Sequence, residues 1–482
     1  MLFWRPIFLV NGIMLTIIGG MMILPMVASA ITNDDNWQIF AVSGVISIFI
    51  GMSLFFTNKG HQNNIKIKQA FLLTSTSYIS VISAAAFPLY ISGINLTWAD
   101  CFFEITSAIT TTGSTVIVGL DNKPAGLLLW RALINGLGGI GVVVLAIAIL
   151  PMLKVGGMQL FKTESSDNSG KLLPQTKQIA LTITIISISL TLLCAWCYWI
   201  AGMGAFDAIC HALSTIATGG FSTYDASIGH FNSWVIEAIC IFFMLCGSLP
   251  LLIFYQLAVG NFIPVWRNSQ IRCFLAIYLM FVMMIVIWLV GVNSMPMLES
   301  IRHASFAVAT VISTTGFATA DYNGWGTFPV NLIFFIAAVG GCTGSTAGAI
   351  KIFRLQVFYQ MVKVQLKRLV QPNGVFLPQY EGKPIAEDVV MSVMTFILLY
   401  AFCFTIGTLM LSMTGLDFTT SMSGAGQAIG NVGPGLGSII GPAGNFSSLS
   451  DSAKWVLSFC MLLGRLELFT LLVLFTPFFW RK

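Results

Sequence analysis

Four short strings carry the residues whose types and spacing suggest chemistry: Thr111-Thr112-Gly113-Ser114-Thr115, Thr218-Gly219-Gly220-Phe221-Ser222, Thr314-Thr315-Gly316-Phe317-Ala318 and Asn431-Val432-Gly433-Pro434-Gly435. Each has glycine in its third place. Successive backbone carbonyls can all point at one axis only if some residues take dihedrals that glycine alone visits without a side-chain penalty. Rings of inward carbonyl oxygens can then replace the hydration shell of a dehydrated cation. The candidate ion-binding residues are therefore Thr111, Thr112, Gly113, Thr218, Gly219, Gly220, Thr314, Thr315, Gly316, Asn431, Val432 and Gly433. Glycine clusters also serve close helix packing in membrane bundles; four copies in one shared context favour the ion site.

That context is a positioning element. Each string follows a helix-compatible segment (98–110, 206–217, 297–313 and 417–430) that has an acidic residue near its outer end. Crossing the hydrocarbon takes about 20 apolar residues, so these segments read as re-entrant half-helices. Irregular backbone survives at membrane depth only where protein buries it or it lines a water-filled path. The half-helices aim their partly negative C-terminal ends at the strings, which suits a cation.

Apolar stretches long enough to span lie near 6–31, 37–57, 69–92, 124–150, 178–203, 232–258, 271–293, 328–350, 388–414 and 453–480. The expected fold is an all-α integral membrane protein with ten spans: an N-terminal two-helix hairpin (1–60) and four units of span, half-helix and span. These units cover 61–153, 154–265, 266–370 and 371–482, a pseudo-fourfold arrangement of potassium-channel-like repeats.

Composition agrees, with 56% hydrophobic and 9% charged residues, which excludes an ordinary soluble domain. Arg5 followed by an apolar run to Val27-Ala28-Ser29-Ala30 resembles a cleavable signal, but the run is longer than a signal core and reads as a retained helix. Most lysines and arginines fall on one side if the N-terminus is cytoplasmic, which places both termini inside and the half-helices outside. Most carboxylates, among them Asp100, Glu104, Asp207, Asp225, Glu299 and Asp417, then face out. They either line a cation-attracting vestibule or solvate outer loops.

Gly136-Leu137-Gly138-Gly139-Ile140-Gly141 matches a dinucleotide fingerprint but lies inside an apolar span, so it reads as helix packing. Gly340-Gly341-Cys342-Thr343-Gly344-Ser345-Thr346-Ala347-Gly348 interrupts a span without any large side chain. It is a candidate gate across the ion path, with a packing kink as the alternative. Arg465 and Glu467 fall within the last stretch, where an ionisable group is a functional hypothesis by default. Arg465 either opposes cation passage as a fixed charge or pairs with a carboxylate elsewhere. The ten cysteines form no framework, and Cys194-Ala195-Trp196-Cys197 sits in an apolar span where packing is its simplest role.

Trp130-Arg131-Ala132-Leu133 running into Gly138 to Gly141, Ile149-Leu150-Pro151, the four glycine strings, Gly340 to Lys351 and Gly464-Arg465-Leu466-Glu467-Leu468 together resemble the Trk/Ktr/HKT superfamily of potassium transporters, in its bacterial TrkH/TrkG branch. The resemblance runs the whole chain. It implies a homodimeric bacterial inner-membrane protein with one potassium pore per subunit, working with a cytoplasmic nucleotide-binding ring of TrkA-type subunits. Carried over, Gly113, Gly220, Gly316 and Gly433 are the selectivity glycines, Gly340 to Gly348 the gate, and Arg465 a pore-facing arginine. The fourth string departs from the threonine-led pattern, with Asn431 leading and Pro434 after the glycine.

The expected function is potassium uptake through a gated channel-like pore, with lipid as surroundings and neither cofactor nor nucleic acid bound. A proton- or sodium-coupled symporter and a membrane scaffold without flux are the alternatives. An enzyme is not expected, since His61, His211, His230 and His303 are dispersed and no serine-histidine-acid set or zinc spacing occurs.

Overall fold

The computed structural model describes residues 4–34, 36–60, 67–148 and 172–481. Among these, regular structure is helical apart from a short β-pair, Gln379–Tyr380 against Lys383–Pro384. An N-terminal hairpin pairs α1 (Arg5–Met21) and its continuation α2 (Ile23–Ile31) with α3 (Trp37–Asn58). The first following set is α4 (Ile67–Ile91), the short α5 (Trp98–Ile109) and α6 (Ala125–Ala148). The second is α7 (Leu172–Ile200), α8 (Ala205–Ile216), α9 (Trp234–Gly247) and α10 (Leu251–Ala258). The third is α11 (Ser269–Gly291), α12 (Met297–Ile312), α13 (Thr327–Ile336) and α14 (Ile352–Val370). The fourth is α15 (Glu387–Ser412), α16 (Phe418–Gly430), α17 (Asp451–Arg465) and α18 (Phe469–Leu472).

Seven spans among the described residues are long and apolar enough to cross a bilayer, or nine if two bent pairs each count as one. Three of the ten expected spans are therefore not continuous helices. The stretch 232–258 bends by 100° between α9 and α10, and 453–480 bends by 111° after α17. The stretch 328–350 is helical only over α13. Pro250 lacks the N–H that would carry the first of these through, and at the second Glu467 and Leu468 adopt left-handed φ of 60° and 50°. The boundary at 153–154 and Ile149-Leu150-Pro151 lie outside the described residues.

Glycine sets the hairpin's close approach. A Cβ on Gly12 would meet the Gly51 carbonyl oxygen at 2.7 Å, and one on Gly51 would meet that of Gly12 at 2.7 Å, so only glycine lets these backbones touch. The interior falls into two apolar clusters. One joins α4 to α6 with α15 to α17 through Ile82, Phe103, Trp130, Ala425 and Leu457; the other joins α7 to α9 with α11 to α13 through Tyr198, Phe243, Phe274, Phe306 and Ile336. Large apolar residues such as Phe49, Leu192, Ile287 and Leu398 stay exposed on the rim, where lipid rather than water is the solvent.

The short helices α5, α8, α12 and α16 have 12, 12, 16 and 13 residues. At 1.5 Å per residue each is about 18–24 Å long, short of the roughly 30 Å hydrocarbon thickness. Every one carries a carboxylate at its positive end. Thr97 and Asp100 form a reciprocal cap on α5, Asp417 caps α16 by accepting from the Thr420 N–H, and Asp207 and Glu299 occupy first turns.

Candidate ion-conducting site

The four half-helices end in one way. A residue in the left-handed region closes each: Thr111, Thr218, Thr314 and Asn431 have φ of 51°, 51°, 56° and 53°. The next N–H then reaches five residues back. Thr112 donates to Ser107 O (2.8 Å), Gly219 to Ser214 O (2.9 Å), Thr315 to Thr310 O (2.8 Å) and Val432 to Gln427 O (3.0 Å), a Schellman-type end that uses the orphan carbonyls. One residue further on, Gly113, Gly220, Gly316 and Gly433 return to positive φ of 91°, 68°, 87° and 109°. The alternation turns the backbone twice within three residues. Glycine was foreseen there, whereas the left-handed residue before it was not; Asn431, a residue type enriched in that conformation, was the signal available.

The strings meet one another in sequence order. A Cβ on Gly113 would face the carbonyl oxygen of Gly219, on Gly220 that of Thr315, on Gly316 that of Val432 and on Gly433 that of Thr112, each closer than 3.0 Å. The contacts therefore run through all four strings and close on themselves. All twelve candidate ion-binding residues lie in this closed circuit or directly beside it. The seam between the last and first strings is further joined by Asn431 Nδ2 donating to Thr112 Oγ1 (3.0 Å) and Ser114 Oγ donating to Gly433 O (2.9 Å). From outside the circuit, Gly138, Gly247 and Gly464 press against the carbonyls of Ile109, Ile216 and Ile429, where a side chain would collide or crowd.

A cavity of about 220 Å³ opens on one side of the circuit, lined by Gly113, Gly220, Gly316 and Gly433, by hydroxyl and apolar side chains, and by the charged Arg131 and Asp225. Of the outer carboxylates only Asp225 lines it, and both its oxygens accept backbone N–H groups, of Gly119 (2.8 Å) and Leu120 (3.0 Å). The others hold structure. Glu104 pairs with Arg131 (2.8 Å), Asp100 with Lys454 (2.6 Å), and Asp207 accepts from Thr223 Oγ1 (2.6 Å) and Tyr224 OH (3.0 Å). Of the two roles left open for the carboxylates, lining a vestibule or solvating loops, Asp225 fits the first, while Asp100, Glu104 and Asp207 cap and cross-link.

On the other side, the chain from Ala337 to Lys351 is non-helical, a longer interruption than the 340–348 expected. Of Gly340, Gly341, Cys342, Thr343, Gly344, Ser345, Thr346, Ala347 and Gly348, all buried, Thr346 and Gly348 meet the string-bearing helix ends, and Thr343 N–H donates to Gln270 Oε1 of α11 (2.9 Å). Gly348 N–H donates to Thr314 Oγ1 (2.9 Å), Ala349 N–H to Gly430 O (3.0 Å), and Thr346 Oγ1 to Ile216 O (3.0 Å). The break between α9 and α10 complements this segment. Cys342 N–H donates to Ser248 O (2.9 Å), Thr346 N–H to Gly247 O (3.2 Å) and Leu251 N–H to Gly344 O (3.0 Å), so each interruption satisfies backbone groups that the other leaves free.

Arg465 is the last residue of α17 and is buried. Its Nη1 donates to Thr346 O (2.9 Å) and its Nη2 to Gly138 O (3.3 Å). Among the described residues no carboxylate lies within 4.0 Å of it, so the interhelical ion pair considered for it is absent. Glu467 instead takes Arg354 and Lys351, the latter at 3.5 Å, and Arg354 stacks on Phe396 with its guanidinium carbon 3.7 Å from the ring centre. Because the helix has ended, Arg465 and Glu467 are not two positions on one helix and their side chains serve different neighbours.

These elements define a polytopic helical membrane protein organised around re-entrant and broken segments. Residues 36–482 match the TrkH family, described as cation transport protein. The Trk system potassium uptake protein TrkI of Halomonas elongata is 40% identical over 99% of this chain and 97% of that relative. Trk system potassium uptake protein TrkH of Escherichia coli strain K12 is 37% identical over 99% of this chain and 100% of its own length. A crystal structure of the potassium transporter TrkH from Vibrio parahaemolyticus has a TM-score of 0.92 at 35% identity, covering 100% of both chains. The chain belongs to the TrkH family of cation transport proteins.

Proposed function

We propose that this chain takes up potassium across the bacterial inner membrane through a gated, channel-like pore. The observation that carries the reading is the closed circuit of four strings, in which every glycine faces the carbonyl preceding its neighbour's glycine. Twelve residues, from Thr111 through Gly433 as named above, form the ion-selective ring in this reading, and the four helix sets act as pore repeats. The segment 340–348 is the gate beneath it. Arg465 acts as an electrostatic brake, because a fixed positive charge opposes the arrival of a cation. Both termini are cytoplasmic, the protein is a homodimer in lipid, and a TrkA-type nucleotide-binding ring regulates it from the cytoplasm.

The competing reading, coupled symport, needs a carboxylate free to exchange a proton or sodium ion. Glu467 is engaged by Arg354 and Lys351, and Asp100, Glu104 and Asp207 are engaged as well, which favours the pore. Rubidium uptake into vesicles holding only this protein tests the proposal. Uptake that follows the potassium gradient and ignores imposed proton and sodium gradients is the expected result; dependence of the reversal potential on either gradient replaces the pore with a symporter, and absent flux leaves a scaffold.

A further inference from the structure

The four strings are alike at their glycines and unlike in what stands behind them. Nine residues before the glycine the half-helices carry Glu104, His211, Ala307 and Gly424, and two residues after it the strings carry Thr115, Ser222, Ala318 and Gly435. In the first two units these positions are bonded to each other. Thr115 Oγ1 donates to both Glu104 oxygens (2.9 and 3.1 Å), while His211 Nε2 meets Ser222 Oγ at 2.9 Å. His211 Nδ1 lies 2.8 Å from the Asp207 carbonyl, which only accepts, so Nδ1 carries the proton and Nε2 accepts from Ser222 in the neutral ring. In the last two units alanine and glycine leave no side chain to make such a bond.

Arg131 joins the two bonded units. From α6 it donates Nε to Glu104 (2.8 Å), Nη2 to Thr115 Oγ1 (3.2 Å) and Nη1 to Ser222 O (3.1 Å), and its guanidinium carbon lies 4.3 Å from the centre of the Phe221 ring. Glu104 also accepts the Val116 N–H at 2.8 Å. Arg131, Glu104 and His211 are buried; Arg131, Thr115 and Ser222 stand at the wall of the cavity beyond Gly113 and Gly220, with Glu104 and His211 behind them. A planar fork with fixed donor directions sets the separation of two backbone segments in a way that a single ammonium donor does not.

We propose that Arg131, with Glu104 and His211, is a positioning clamp that fixes the outer ends of the first and second strings and thereby sets discrimination between potassium and sodium. The proposal rests on the pore reading above. It ties the outer ends of the first two strings to one guanidinium, whereas the third and fourth are held by separate neutral bonds, Thr310 Oγ1 donating to Phe317 O (3.0 Å) and Ser114 Oγ to Gly433 O (2.9 Å). The three side chains act through Thr115, Val116 and Ser222, to which they are bonded.

The test measures sodium-to-potassium permeability ratios in vesicles containing the full chain. Thr115→Val keeps the shape and removes the hydroxyl, and the ratio should rise about tenfold, the size expected from losing one charge-assisted hydrogen bond. Thr115→Ser should restore it. Arg131→Lys keeps the charge and loses the fork, and should behave as Arg131→Gln does. If Arg131→Lys instead matches the parent while Arg131→Gln shifts, the residue acts through charge alone and the clamp is overturned; unchanged ratios in both Thr115→Val and Arg131→Lys overturn it as well. Should Glu104→Gln fail to fold, Thr115→Val and Ser222→Ala still decide the matter. A parent protein that conducts without preferring potassium would sink the pore reading itself, which separates that failure from failure of the clamp.

Discussion

Arg465 Nη1 donates to the carbonyl oxygen of Thr346 at 2.9 Å, so the buried cation at the end of α17 is bonded to the backbone of the unwound segment and, among the described residues, to no carboxylate. Arg465→Ala removes this bond and a fixed charge together. Rubidium flux should rise by about tenfold if one charge-assisted hydrogen bond is lost from the closed arrangement. Flux equal to that of the parent in reconstituted vesicles would remove the brake and leave Arg465 a structural tie.

Gly316 has a φ of 87°, and a Cβ there would run into the Val432 carbonyl. Gly316→Ser must move that oxygen or unwind its own turn, each costing on the order of 1–3 kcal/mol. Gly113→Ser faces the Gly219 oxygen in the same way. Both variants should lose preference for potassium over sodium in permeability measurements, and unaltered ratios would count against the ring as the selective element.

Glu467 is the one carboxylate paired with both Arg354 and Lys351 inside the protein, among the described residues. Glu467→Gln leaves buried positive charge uncompensated, and breaking a buried pair of this kind costs about 3–5 kcal/mol. Thermal unfolding in detergent should show a lowered Tm, partly restored when Lys351→Met is added. Insensitivity of Tm to Glu467→Gln would mean that the cluster is solvated in the folded protein.

Gly464 and Gly141 give a paired comparison. A Cβ on Gly464 would collide with the Ile429 carbonyl at the end of α16, whereas one on Gly141 meets nothing within 4 Å. Gly464→Ala should destabilise by about 1–3 kcal/mol and disturb selectivity together, as overpacking does. Gly141→Ala should be neutral or stabilise by up to about 1 kcal/mol through helix propensity. Equal Tm values for the two variants would contradict the packing described.

The hairpin, the half-helices and the four glycines were legible in the sequence because each is a local signal: a run of apolar residues of given length, or a small residue at a fixed place. The break at Ser248 to Pro250 was missed although Gly247 and Pro250 mark it. Hydropathy read over windows of about 19 residues averages across so short an interruption. The break after Arg465 carries no glycine or proline within it, since Leu466, Glu467 and Leu468 are ordinary helix formers whose dihedrals are set by tertiary packing. The partners of Glu104 and Asp100 were illegible for another reason. Arg131 and Lys454 lie far away in sequence, and nothing local records which cation meets which carboxylate.

The reciprocal bonding between residues 342–346 and the turn from Gly247 to Leu251 has a mechanical result. Sliding either segment away leaves three N–H groups of buried residues without their carbonyl partners, so neither shifts by itself without a penalty. The two interruptions are interlocked like facing teeth, and a pull on α14 would load α9 and α10 through the same movement.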